Sequence, residues 1–299
     1  MMRKFFALVL AVAVVMPLTV EAKKKQEEPK QLTIQNQWYG KRVAYLGDSI
    51  TDERQTTTQK VYWQYLEELL GIVPTVYGIS GNQWHQVIPQ AERMIEKQGQ
   101  EVDAIFIFMG TNDFNACVPI GEWYEEKPVN LEVNPDGTKE YRWQRTPIMD
   151  DSTVRGRINK AMTFLKKNYP TKQIIVLTPI HRAIFRSRNR NIQPDELYSN
   201  KVGLFLSDYL KVYQEIGNVW AVPVIDLNSI CGLYPVMDEH APYFRSSEND
   251  RLHPNSDGQY RMAKALMYQL LAHPSSPHAK VVGPHRANDL AQGQDPYRE

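Results

Sequence analysis

The chain has 299 residues, 42% of them hydrophobic and 23% charged, a balance that excludes wholesale disorder, collagen and coiled coil. Lys and Arg number 35 against 34 Asp and Glu, a net charge of +1. With no basic excess to follow a phosphate backbone, nucleic acid is not an expected partner.

Residues 1–22 open with Arg3 and Lys4, run apolar from Phe5 to Met16, and close on Val20-Glu21-Ala22. Basic start, short apolar run and small residues before a cleavage point form the layout of a secretory signal peptide. Export to a periplasmic or extracellular address is therefore expected, with no integral membrane segment after cleavage. Residues 23–37 are polar and charged and read as a flexible lead-in. The domain is expected at 38–274, and 275–299 read as a loose tail. Cys117 and Cys231 are the only cysteines, and they are expected to be two unpaired buried thiols.

Short apolar runs alternate with helical patterns along the domain. Strands are expected at 42–46, 74–79, 103–109, 173–178 and 220–226. Helices are expected at about 58–70, 84–97, 151–168, 196–216 and 255–272. Several runs are apolar on both faces, as a parallel sheet covered by helices on each side requires. The expected fold is one three-layer α/β/α sandwich.

Residues 114–150 break the rhythm. They contain Trp123, Tyr124, Tyr141 and Trp143 around Asn134-Pro135-Asp136-Gly137, a strong turn signal, and read as an inserted hairpin. Residues 181–194 are irregular and carry Arg182, Arg186, Arg188 and Arg190, either a solvated loop or a contact for an anionic substrate.

Four short motifs carry chemistry. Gly47-Asp48-Ser49-Ile50 ends the first strand, where open parallel sheets bind ligands. Ser49 there is either a nucleophile or part of an ordinary turn or helix cap. A serine hydroxyl needs a base and an orienting acid. Asp250-Arg251-Leu252-His253 precedes the last helix and can supply both, or can be a cap beside a solvated histidine. Gly110-Thr111-Asn112-Asp113 follows the third strand, and Ile79-Ser80-Gly81-Asn82 the second. The Asn112 amide and the Gly81 N–H can donate to an oxyanion, although Gly and Asn are also turn residues.

In order and placement these four blocks resemble those of the SGNH hydrolases, the GDSL-type esterases and lipases, over about residues 40–272. Ile50 stands where that family often has Leu. The resemblance implies a flavodoxin-like five-stranded parallel sheet and no metal or organic cofactor. It implies Ser49 as nucleophile, His253 as general base and acid, and Asp250 as its orienter. It implies an oxyanion hole from the Ser49 and Gly81 N–H groups and the Asn112 amide.

Cys117 lacks a neighbouring His motif, and His85, His181 and His240 lack metal-ligand spacing, so no metal is expected. Trp123 and Trp143 offer flat faces that suit sugar rings, or else pack on their own hairpin. His181 follows the fourth strand and can line the same rim. Asp113 braces its loop or touches substrate. The expected function is an exported serine esterase acting on a small-molecule or carbohydrate ester, with a carbohydrate O-acetyl group favoured. The rivals are a lipase or lysophospholipase and a non-catalytic glycan-binding module.

Overall fold

The computed structural model describes residues 36–57, 59–187 and 191–276. The signal-like segment 1–22, most of the lead-in and most of the tail lie outside the described residues, as do Arg188 and Arg190.

In chain order the elements begin with β1 (Arg42–Gly47), α1 (Tyr62–Leu70), β2 (Val73–Val76), α2 (Val87–Gln98), β3 (Ala104–Phe108) and α3 (Thr111–Asn115). β4 (Tyr124–Glu132), β5 (Lys139–Pro147), α4 (Val154–Asn168), β6 (Gln173–Leu177), β7 (Phe185–Arg186) and β8 (Ile192–Gln193) follow. The chain continues through α5 (Leu206–Trp220), β9 (Val224–Ile225), α6 (Leu227–Ile230), β10 (Phe244–Ser246), β11 (Asp250–Pro254) and α7 (Ser256–Ala272).

Five strands form a parallel sheet in the order β2-β1-β3-β6-β9, as a flavodoxin-like sandwich requires. The sequence of β3, Ala-Ile-Phe-Ile-Phe, shows why. Side chains alternate between the two faces of a strand. Ile105 and Ile107 join Ala44, Leu46 and Val176 in a core with α2, α4 and α5. Ala104, Phe106 and Phe108 join Val43, Tyr45 and Leu177 in a second core with α1 and α7. All five β3 side chains are buried, and each large one contributes about 1.5–3 kcal/mol relative to exposure.

Helix starts fall later than the apolar periodicity suggests, for local reasons. α4 begins at Val154 because the Thr153 hydroxyl accepts from Gly156 N, a side-chain cap. α5 begins at Leu206 and not near 196. The Asn200 side chain accepts from Val202 N at 3.2 Å and Leu204 N at 3.1 Å, which closes a turn ahead of the helix.

Two further sheets depart from the five-strand plan. β4 and β5 pair over nine residues each, from Tyr124↔Pro147 to Glu132↔Lys139, forming a longer hairpin than the turn signal marked out. β10-β11-β7-β8 form a small antiparallel sheet. Asp250 and His253 therefore lie on a short strand rather than in a loop.

Candidate active site

The C-terminal end of β1 is tightly filled. A Cβ on Gly47 would stand 2.3 Å from Thr51 Oγ1 and 2.9 Å from the Phe108 carbonyl oxygen, so only glycine fits. The buried Gln90 of α2 clamps that glycine from the side. Gly47 N donates to its Oε1 at 2.8 Å, and its Nε2 donates to Gly47 O at 2.8 Å and to Asn82 Oδ1 at 2.7 Å. One step on, Asp48 Oδ1 accepts from Ile50 N at 3.0 Å. This local turn brings Ser49 out of the sheet.

Ser49 Oγ lies 2.9 Å from His253 Nε2. On the other side of the ring, Nδ1 lies 2.9 and 3.0 Å from the two Asp250 oxygens. A carboxylate there only accepts, so Nδ1 carries the proton and Nε2 is left to accept the serine hydroxyl proton. Asp250 Oδ1 also takes the Leu252 and His253 N–H groups at 3.3 and 3.0 Å. The three-residue spacing works because the carboxylate turns back over its own strand. The Phe185 ring meets the imidazole edge-on at 5.1 Å.

The donors expected at an oxyanion reach the same place. Ser49, Gly81 and Asn112 line one cleft of about 460 Å³ together with Asp250 and His253. Gly81 has φ +83° and nothing within 4 Å of where a Cβ would stand. Asn112 Nδ2 donates to Asn82 O at 3.0 Å. A primary amide has two N–H donors, and that bond uses one. A second cavity, about 490 Å³, opens beside β2 between Glu53, Arg93, Glu96 and Lys97. It lacks a nucleophile–base pair, so the chemistry belongs to the first cleft.

Beneath the cleft lies a buried polar layer. Asp48 is 3% exposed. Burial raises its pKa to about 7, with the Ile50 N–H opposing, the Asp113 charge adding and Arg182 opposing. Arg182 is fully buried. Its Nη1 donates to Thr111 Oγ1 at 3.1 Å and its Nη2 to Gln193 Oε1 at 2.5 Å. Burial lowers its pKa to about 10 against the pull of Glu196 and Asp48. The reading of this arginine as a solvated loop residue is thus corrected: it ties the Thr111 loop to β8.

Four substrate-contact expectations fail to reach the cleft. Asp113 is fully buried, accepting from Arg157 Nη1 at 2.8 Å and Trp84 N at 3.1 Å, and burial lifts its pKa to about 6 against those bonds. It braces the Asn112 loop. Trp123 is buried at the hairpin root, its Nε1 donating to Glu215 at 2.6 Å. Trp143 stands 72% exposed on β5, outside the cleft lining. His181 Nδ1 pairs with Glu196 Oε1 at 2.5 Å, its ring edge-on to Tyr234. It is not among the residues that line the cleft. Both cysteines are unpaired, Cys231 buried and Cys117 only half-buried, a partial correction to the expectation of two buried thiols.

Gln90 escaped the sequence reading, although a signal existed. It falls on the stripe Val87, Gln90, Ala91, Met94 that α2 buries, and a polar residue in an apolar stripe needs partners. Among the described residues, no group of three His, Cys, Asp or Glu side chains could hold a metal ion, and no helix is long and apolar enough to cross a membrane.

Residues 45–261 match the model of the GDSL-like Lipase/Acylhydrolase family. A protein from Lactobacillus plantarum is 21% identical, with a TM-score of 0.59, over 79% of this chain and 98% of that one. A protein described as a possible lipase from Chitinophaga pinensis DSM 2588 is 20% identical, with a TM-score of 0.56, over 77% of this chain and 98% of that one. At such identities the likeness concerns the fold. No curated protein matches the chain.

Proposed function

The chain belongs to the GDSL-like lipase/acylhydrolase family, and from that premise we propose that it is an exported serine esterase that removes a small acyl group, acetyl above all, from a carbohydrate. Membership makes it a carboxylic ester hydrolase. The observation that carries the serine mechanism is the line from Ser49 Oγ through His253 to Asp250, with 2.9 Å at each hydrogen bond.

Ser49 attacks the ester carbonyl while His253 Nε2 takes its proton. Asp250 holds the ring and stabilises the imidazolium. The developing oxyanion meets the Ser49 and Gly81 N–H groups and the Asn112 amide, each donor contributing about 2.7–4 kcal/mol. His253 then returns the proton to the leaving alcohol. Water, deprotonated by the same imidazole, attacks the acyl-enzyme and releases the acid.

The cleft lining supports the choice of a sugar over a lipid. Amides and hydroxyls such as Gln55, Ser80, Gln83, Asn115 and Gln193 dominate it, with Phe185 and Leu252 as the larger apolar members. Side-chain amides both donate and accept, which suits sugar hydroxyls, whereas a long acyl chain calls for a continuous apolar wall. Export rests on the signal-like residues 1–22, and the address beyond the cytoplasm is periplasmic or extracellular.

The test is acetate release from acetylated polysaccharides, beside a series of 4-nitrophenyl esters of rising chain length. Ser49→Ala is expected to lower turnover by roughly 10⁶-fold, the scale of nucleophile removal in a serine hydrolase. Undiminished turnover in that variant would remove Ser49 from the mechanism. A sharp preference for long acyl chains would favour a lipase instead. Failure of a serine-reactive phosphonate to label the protein would favour a non-catalytic glycan-binding module.

A further inference from the structure

One side chain in the cleft has a charge that the chemistry above does not use. Arg245 is the one Lys or Arg among the described residues lining the cleft with Ser49 and His253. It sits on β10, whose antiparallel neighbour β11 carries Asp250 and His253.

Its hydrogen bonds go to neutral groups. Nη2 donates to Gln55 Oε1 at 2.6 Å and Nε to Gln59 Oε1 at 3.4 Å. Among the described residues it joins no ion pair. The carboxylate near enough to act on its charge is Asp250, and both Asp250 oxygens are engaged by His253 Nδ1. Desolvation by its surroundings lowers the Arg245 pKa from the usual arginine value. A guanidinium has five N–H donors in a rigid fork, and two are used here. The two glutamines orient the fork, and neither carries a charge to pair with it.

Arg245 is solvent-exposed on β10, so its guanidinium is open to an anionic group that enters the cleft. The planar fork matches a carboxylate, and charge-assisted bonds are about twice as strong as neutral ones. Asp250 is the one acid in the lining, its oxygens engaged by His253 Nδ1, and Ser80, Gln83, Asn112, Asn115, Asn191 and Gln193 are neutral. Resting on the esterase reading, we propose that Arg245 is a specificity-determining residue that seats the carboxylate of an acidic sugar, so that the preferred substrate is an O-acylated uronic acid or similarly carboxylated glycan.

The experiment compares kcat/KM on acetylated uronic-acid oligosaccharides, acetylated xylose oligosaccharides and 4-nitrophenyl acetate, in wild type, Arg245→Gln and Arg245→Lys. Ser49→Ala is the blank. The wild type is expected to prefer the acidic oligosaccharide over the neutral one by at least about tenfold, the scale of one hydrogen bond to a charged group. Arg245→Gln is expected to erase that ratio through KM, and Arg245→Lys to keep part of it. Raising the salt from about 0.01 to 0.5 M is expected to shrink the ratio, because screening shortens the reach of a solvent-open charge. An equal rate on both oligosaccharides, or a ratio that Arg245→Gln leaves intact, overturns the assignment while the esterase stands. Absence of Ser49-dependent hydrolysis of all three substrates overturns both.

Discussion

The floor of the cleft and the β4–β5 hairpin are both departures from the regular sheet-and-helix plan, and they are held in opposite ways. On the floor, Asp48, Thr111, Asp113 and Arg182 are buried, as is Gln90 beside them; all but Asp48, which bonds within its own turn, are hydrogen-bonded to a different segment. On the hairpin, Tyr141 and Trp143 are more than 70% exposed, and the ion pairs Arg145–Glu126 and Arg142–Glu140 lie at the surface. Surface pairs of that kind contribute about 0–1 kcal/mol. Only the hairpin root is anchored, where the buried Asn159 donates to the Trp123 and Ile148 carbonyls at 2.8 and 3.0 Å. Polar groups are costly to bury, so they accumulate where positions must be exact. In this molecule that place is beneath Ser49.

Arg157→Met sharpens the contrast most. It leaves Asp113, fully buried, without its counter-ion, a change that costs about 3–5 kcal/mol when one partner of a buried pair is lost. The chemical-denaturation midpoint reads it, and a loss below about 1 kcal/mol would place the floor in the same class as the hairpin.

Next comes a pH effect. The Asp48 pKa rises from 3.8 to about 7 on folding because burial disfavours its charge. Between those values the folded chain keeps a proton that the unfolded chain releases. The stability from this group is full below about pH 4 and is lost as pH rises through about 7. Asp113, raised to about 6, adds a slope of the same sign. Asp48→Asn is expected to flatten the fall in Tm across this window, leaving the Asp113 part. An unaltered slope would mean that the Asp48 charge is solvated.

The smallest change belongs to the hairpin. Trp143→Ala is expected to shift stability by less than about 0.5 kcal/mol, as for most exposed sites, and to leave kcat/KM on acetylated oligosaccharides within about twofold. A large rise in KM would break the comparison by bringing the hairpin into substrate binding.

Much of the fold is legible because it depends on repetition. β1, β3 and β6 fall within about two residues of their apolar runs, since burial on both faces leaves a continuous signal. The Ser49, Gly81 and Asn112 motifs are legible because each follows such a run, and Asp250–His253 because it precedes the last helix. The small β10-β11-β7-β8 sheet is not, because strands of two to five residues are too short to show a period. Arg182 was hidden for another reason. It stands among Arg186, Arg188 and Arg190, and composition cannot single out the one arginine that is buried. Trp123 and Trp143 do not line the cleft, a placement the sequence does not reveal because an aromatic side chain suits a sugar face and a hairpin equally well.

The bond between Ser49 and His253 joins residues 204 positions apart. Within the domain only α7 follows the strand that supplies the base, and Trp38 Nε1 donates to the Leu270 carbonyl near the end of that helix at 2.6 Å. A growing chain therefore has Ser49 early in synthesis and gains His253 only near the end of the domain. On the proposed mechanism, fragments that stop before β11 hold a serine without its base, and hydrolysis begins only once the domain has been made through α7.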